Sequence, residues 1–189
     1  VSKKNNYNKG IIANKASGKV IRKITIETLD PFGFSIKNDA KVPSNGVDRF
    51  GNSIHIKTKE FTIRNLLLFK KNDRCDSLLL KETERLIRSQ RFVSRIAITV
   101  NSVTPTSDSV DVKVRVIDSW SISPNVTVST NKTVLGFNER NFLGFGHNLK
   151  YNFQKSLNSS DNASDISYTV PTIKNSYLET SIFYKIDLD

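Results

Sequence analysis

The sequence predicts an α+β unit of order β-α-α-β-β followed by an antiparallel, all-β segment. Three observations predict it. Apolar residues recur at helical spacing in only two stretches, both between residues 60 and 89. From Val126 onward, every structured stretch alternates apolar and polar residues with period two. The charge divides along the same line: residues 1–75 carry sixteen Lys/Arg against six Asp/Glu, residues 76–118 seven against six, and residues 119–189 six of each.

In chain order, residues 1–18 are polar and basic and read as a linker. The Lys3-Lys4 pair sits among Asn, Gly and Ser with no aromatic stacking platform, so it reads as a solvated tail with no nucleic-acid partner. Val20 to Leu29 reads as a strand. Residues 30–59 are rich in Gly, Pro and Asn, and a connection of that length is often functional. Within it, Ser35-Ile36-Lys37 is expected to pair with His55-Ile56-Lys57 as a short hairpin.

Glu60 to Phe69 reads as a helix carrying Ile63, Leu66 and Leu67 on one side. Asp76 is a fitting N-cap for a second helix to about Ser89, with Leu79, Thr83, Leu86 and Ile87 on its core face. Phe92 to Val103 and Val110 to Ile117 read as strands. In the second of these, Val110, Val112, Val114 and Val116 alternate with Asp111, Lys113 and Arg115. Two helices on one face of this sheet would bury the apolar rows and leave the charged rows wet.

After Trp120 come strands near Val126–Thr130, Val134–Phe142, Asn148–Gln154, Asp165–Val170 and Leu178–Leu188. A tight turn, Asn141-Phe142-Leu143-Gly144-Phe145-Gly146-His147, joins the second to the third. The last stretch is long enough for a tilted strand to cross a bilayer, which takes about 9–11 residues. Alternation alone does not tell a lipid-facing wall from a soluble sandwich.

Composition narrows the class. The chain is 37% apolar and 25% charged, with mean hydropathy −0.36. No stretch approaches the ~20 apolar residues of a membrane-spanning helix, whereas a β-barrel wall survives that test. There is no Met, and the final residues stop inside a strand-like pattern, so the chain reads as a piece of a longer protein. The lone Cys75 forms no internal disulfide, and it and the two histidines, His55 and His147, make no zinc motif. No nucleophile–base set is legible and no cofactor is expected. Four Asn-x-Ser/Thr matches begin at Asn125, Asn131, Asn158 and Asn162 and read as incidental.

Residues Thr62 to Val100 resemble a POTRA (polypeptide-transport-associated) domain. The resemblance is carried by Asn72-Asp73, Leu79, Thr83, Leu86 and Phe92. The segment from Val116 onward, with its Asn141-Phe-Leu-Gly-Phe-Gly146 turn, resembles the start of the barrel in the outer-membrane assembly and translocation superfamily of BamA-like and TamA-like proteins. The two follow each other in the family's order and cover about residues 19–189.

The resemblance implies a linker at 1–18, a periplasmic POTRA-like domain at 19–119 and the N-terminal strands of an outer-membrane β-barrel at 120–189. It implies a non-enzymatic factor that inserts or exports β-rich proteins. Its partners would be unfolded outer-membrane clients, assembly-machinery lipoproteins and outer-membrane lipid. A dedicated two-partner secretion transporter, or the membrane anchor of an enzyme whose catalytic domain lies elsewhere, are the alternatives.

By the same resemblance, the client-binding edge is Arg95, Ile96, Ala97, Ile98, Thr99 and Val100. The gate strand is Val126, Thr127, Val128, Ser129 and Thr130, weakened by Pro124 before it. Phe142, Leu143, Gly144, Phe145 and Gly146 make the barrel turn. Leu178, Ile182, Tyr184 and Ile186 are expected to face lipid.

Overall fold

A computed structural model describes residues 16–104, 107–171 and 178–188. The basic linker of residues 1–18 lies mostly outside the described residues. The described chain holds two sheets. The first is formed by β1 (Val20–Leu29), β2 (Val93–Ser102) and β3 (Ser109–Asp118) in the order β1-β3-β2. β1 runs parallel to β3, and β2 runs antiparallel to it. Between β1 and β2 come α1 (Gly46–Ile54), α2 (Glu60–Arg64) and α3 (Ser77–Arg88).

The valine row of β3 decides the core. Val110, Val112, Val114 and Val116 are almost wholly buried, together with Ile21, Ile63 and Ile87. Burial of side chains this size contributes about 1.5–3 kcal/mol each, so this row is the main reason the unit closes. Asp76 caps α3 by accepting from the Leu78 amide at 2.8 Å. The inward face of α3 is Leu80, Thr83 and Ile87; Leu79, expected there, is 38% exposed. Buried Thr83 keeps its polarity satisfied, since its Oγ1 accepts from the Leu68 amide at 3.2 Å.

Three further expectations are corrected. The stretch expected to run as a helix from Glu60 to Phe69 is a five-residue helix followed by turns, in which the amides of Leu66 and Leu67 bond the carbonyls of Ile63 and Arg64. The hairpin expected between residues 35–37 and 55–57 does not form; α1 occupies that connection, capped by Asn45, whose side chain accepts from the Asp48 amide at 2.7 Å. The charged row of the sheet is not left wet throughout. Asp39 folds over it to bond Arg115 and Lys113, and Arg115 is only 4% exposed.

The second sheet is an antiparallel meander of β4 (Ile122–Val128), β5 (Lys132–Phe142), β6 (His147–Ser156), β7 (Asn162–Val170) and β8 (Thr180–Leu188), paired in sequence order. Its register sorts the side chains into two faces. Val126, Leu135, Phe153, Ser164 and Ile186 form one cross-strand row, with Pro124, Phe137, Tyr151, Ile166 and Tyr184 next to it. On the opposite face lie Asn125, Gly136, Asn152, Asp165 and Lys185, beside Ser123, Asn138, Lys150, Ser167 and Phe183. One face is therefore apolar and the other polar. The apolar face is uncovered, with Val126 66%, Tyr184 60% and Ile182 67% exposed. Soluble monomers rarely leave apolar patches larger than a few hundred Å² uncovered. The sheet does not close on itself among the described residues.

Candidate functional site

The glycine turn is the joint between the two sheets. Asn141 is 1% exposed and organises it. Its Oδ1 accepts from the Gly146 amide at 2.9 Å, and its Nδ2 donates to Thr58 Oγ1 at 2.9 Å. The Gly144 carbonyl accepts twice from the α/β unit: from the Lys59 amide at 2.9 Å and from Thr62 Oγ1 at 2.9 Å. The next layer is Asp118, wholly buried at the end of β3. Its Oδ2 accepts from the Thr58 amide at 2.7 Å and lies 3.0 Å from His55 Nε2. A buried carboxylate is tolerated only with such partners.

Both turn glycines are required by space as well as by backbone angle. Gly144 has φ +79°, and a Cβ there would lie 2.4 Å from the Lys57 carbonyl oxygen. Gly146 has φ +71°, and its Cβ would lie 2.6 Å from the Phe92 ring. Leu143 also takes a left-handed φ of 55°, unusual for a bulky residue. The turn residues Phe142, Leu143, Gly144, Phe145 and Gly146 are thus a docking surface, and Asn141, Asp118, His55 and Thr58 belong to it. Sequence reasoning placed Asn141 only as the head of the turn and gave Asp118, His55 and Thr58 no part in it. A buried Asn or Asp leaves no periodic trace; only the Asn at the head of the turn hinted at it.

A line of rings crosses the same joint. Phe61 of α2 stands 5.5 Å from Phe145, Phe145 5.7 Å from His147, and His147 5.6 Å from Tyr168. Phe142 meets Tyr168 edge-on at 6.0 Å. Tyr168 belongs to the apolar face of the large sheet, in the row of Leu149 and Ile182.

The candidate client edge lies on β2, which among the described residues pairs only with β3. Its hydrogen-bond phase follows from one bond. The Val103 amide donates to the Ser109 carbonyl, so the pairs two residues apart along that register also face each other through hydrogen bonds. Arg95, Ala97, Thr99 and Asn101 therefore spend their amides on β3. Ile96, Ile98, Val100 and Ser102 point theirs at the open edge. Ala97, expected on the client edge, turns its amide to β3 in this phase.

The candidate gate strand is placed differently from expectation. β4 ends at Val128, and Ser129 and Thr130 lie in the turn that follows, where the Ser129 amide bonds the Lys132 carbonyl at 2.9 Å. Pro124 lies inside the strand, opposite Phe137. The Ser129–Lys132 bond and the Arg140 amide bonding Ser121 at 3.1 Å set the phase. Ser123, Asn125 and Thr127 bond β5, while Ile122, Val126 and Val128 present their amides to the free edge. Pro124 occupies an outward position, where its missing N–H costs no bond to β5.

Of the residues expected to face lipid, Ile182, Tyr184 and Ile186 stand on the apolar face, all exposed. Leu178 is 67% exposed and lies before β8 begins. Among the described residues no group of three His, Cys, Asp or Glu side chains comes together as a metal site. No described helix is long and apolar enough to cross a membrane.

No protein-family model matches the chain, and no curated protein matches it. Solved structures do. The crystal structure of BamA from Haemophilus ducreyi lacking POTRA domains 1–3 is similar at 17% sequence identity and a TM-score of 0.51, covering 87% of this chain and 28% of that one. CdiB from Acinetobacter baumannii is similar at 12% identity and a TM-score of 0.47, covering 88% of this chain and 28% of that one. The chain thus spans 28% of the length of either. A likeness at this identity is one of fold, and on it the chain has the fold of the part of a BamA-like barrel protein that it overlays.

Proposed function

We propose that the protein is an outer-membrane assembly or translocation factor without enzymatic activity. In this reading the α/β unit is a POTRA domain in the periplasm, and the five-stranded sheet is the first wall of a barrel. The observation that carries the reading is the two-faced sheet, apolar and uncovered on one side and polar on the other, docked through a buried turn onto an α/β unit with an open strand edge. Bilayer hydrocarbon suits the apolar face, and a water-filled lumen suits the polar one.

The open edge of β2 would bind clients. Outward donors and acceptors repeat at Ile96, Ile98, Val100 and Ser102, and backbone pairing of that kind is indifferent to client sequence, as a general assembly factor needs. The strands of unfolded outer-membrane proteins fit it. Assembly lipoproteins and outer-membrane lipid complete the partners. The β4 edge would serve as the seam at which a client strand is templated, since in hydrocarbon an unpaired edge has no water to satisfy it.

The test uses the hydrogen-bond phase as its own control. Ser102→Pro removes an outward amide, and Asn101→Pro removes one bonded to β3. In the full-length protein, Ser102→Pro should lower client photo-cross-linking from a probe at exposed Thr99 several-fold with the fold intact. Asn101→Pro should instead destabilise the unit by about 1–3 kcal/mol. Undiminished cross-linking in a folded Ser102→Pro protein refutes β2 as the client edge. If the protein fails to speed insertion of several unrelated barrel clients into vesicles, the assembly reading fails.

A further inference from the structure

α1 is packed the opposite way round from a helix of a soluble domain. Its polar side faces the protein. Asn52 exchanges hydrogen bonds with the backbone of Phe32, accepting at 3.2 Å and donating at 3.0 Å. Gly51 lies so close to the Phe32 ring that a Cβ would come within 2.8 Å. Its apolar side faces out: Val47, Phe50 and Ile54, at i, i+3 and i+7, are 81%, 68% and 49% exposed. No residue of the helix is buried. A short helix that turns its polar side to its own loop and its apolar side away is built to meet something apolar.

Two features identify the occupant. The first is continuity with the barrel's apolar face. The strap leaving α1 runs straight to the joint, where the Ile56 carbonyl accepts from Asn141 Nδ2 at 3.5 Å and the Lys59 amide reaches Gly144. Half-exposed Phe61 follows, and its ring begins the line through Phe145 and His147 to Tyr168 on the sheet's apolar face. The second is charge. Across residues 41–59, Lys41, Arg49, Lys57 and Lys59 are all exposed, and the one acidic residue is Asp48. Lys57 also reaches Asp30 at 3.2 Å. Exposed apolar side chains on a segment that carries four exposed cations match a layer of anionic headgroups over acyl chains. Nine residues of helix reach only about 14 Å, enough to lie in that layer and too short to cross it.

We infer that α1 is an interfacial membrane anchor, inserting Val47, Phe50 and Ile54 into the anionic phospholipid surface beside the barrel rim. The inference rests on the barrel reading above. Its consequence is that the α/β unit is held to the membrane at two points, the glycine joint and α1, so that the β2 edge keeps a fixed orientation to the barrel mouth.

The experiment is spin-label depth measurement on the full-length protein refolded into vesicles of phosphatidylethanolamine and phosphatidylglycerol. Labels go, one at a time, on Phe50→Cys, Val47→Cys, the barrel control Ile182→Cys and the exposed control Asn38→Cys, each with Cys75→Ala. The expected result is that labels at 47, 50 and 182 all collide preferentially with oxygen over a water-soluble nickel chelate, with a ratio on the order of tenfold above that at exposed Asn38. In phosphatidylcholine vesicles the labels at 47 and 50 should move toward water while that at 182 does not. Labels at 47 and 50 open to nickel, with 182 in lipid, would overturn the anchor and leave the barrel standing. Labels at 47 and 50 shielded from both reagents would mean a protein covers α1, which also overturns it. A label at 182 in water would remove the barrel reading and the anchor with it.

Discussion

Replacing Gly144 by alanine tests the joint at its narrowest point. The added Cβ would sit 2.4 Å from the Lys57 carbonyl oxygen and 3.3 Å from the Lys59 nitrogen, and backbone atoms on both sides cannot swing away as a side-chain tip could. The strap must therefore move, and the two bonds into the Gly144 carbonyl, from the Lys59 amide and Thr62 Oγ1, lengthen or break. A left-handed backbone costs alanine about 1 kcal/mol. Two lost hydrogen bonds add about 1 kcal/mol each. The joint should thus weaken by about 3 kcal/mol, which is roughly a 100-fold rise in its opening equilibrium.

Native-state hydrogen exchange reads this directly at the Lys59 amide. Exchange there should quicken by about two orders of magnitude in Gly144→Ala, while β3 amides in the core keep their protection. Gly18→Ala supplies the internal control. Its φ is +84° and no atom lies within 4 Å of the added Cβ, so only the backbone cost of about 1 kcal/mol applies. If Gly144→Ala folds and its Lys59 amide exchanges within about threefold of the unsubstituted protein, the joint is not held by this carbonyl and the reasoning fails.

Other outcomes follow from the same geometry. Ile182→Lys should cost about 2–4 kcal/mol of insertion stability near a bilayer midplane, and Ser181→Lys, on the polar face, much less; equal losses in a urea titration in vesicles would remove the assigned faces. Asp118→Ala strips the acceptor from the buried Thr58 amide and from His55, and should lower thermal stability by about 2–4 kcal/mol, measured against Asp111→Ala at the exposed, solvent-screened Arg22 pair, which should change it little. Burial, with Asp76 adding to it, pushes the Cys75 thiol above its ordinary pKa. The folded protein favours the neutral thiol, so the stability this thiol allows is intact at neutral pH and is lost as the pH rises past the ordinary thiol range; the native thiol should react with a disulfide reagent far more slowly than the unfolded one. Pro124→Val would give the β4 edge one more outward donor and should raise the temperature at which a seam paired to it opens, with no change in the β4–β5 ladder seen by exchange.

Much of the fold was legible because it is written in period. The valines of β3 and the alternation of β5 to β8 announce which residues share a face, and the structure keeps those faces. The N-cap at Asp76 was legible for a similar reason, since a cap is a local bond between neighbours in sequence. What failed was whatever depends on distant partners. The choice between Leu79 and Leu80 on α3 turns on how the helix is rotated against the sheet, which the apolar run at residues 78–80 leaves open. α1 was unreadable as a helix because its apolar residues have no core to face, and its Gly and Asn content reads as loop. Asp39 over Arg115 and Asn141 against Thr58 are contacts across 76 and 83 residues of chain, and no local pattern encodes them.

The two open edges show how backbone and side chain are tied together, and why side-chain period alone could not place the donors. Along a strand, the direction of the amide alternates in step with the side chain, so every residue on one face bonds toward the same neighbour. In β4 the residues of the apolar face, Ile122, Pro124, Val126 and Val128, are those whose amides point away from β5. A proline is therefore free of cost to the β4–β5 ladder on that face and would break the ladder on the other. In β2 the coupling sets the buried row, Ile96, Ile98 and Val100, as the outward donors. A client strand pairing there would meet its hydrogen bonds beside the hydrophobic core and its side-chain contacts at exposed Arg95 and Thr99. Substitutions at the exposed residues would then alter which clients are preferred, and only backbone changes at the buried ones would abolish pairing altogether.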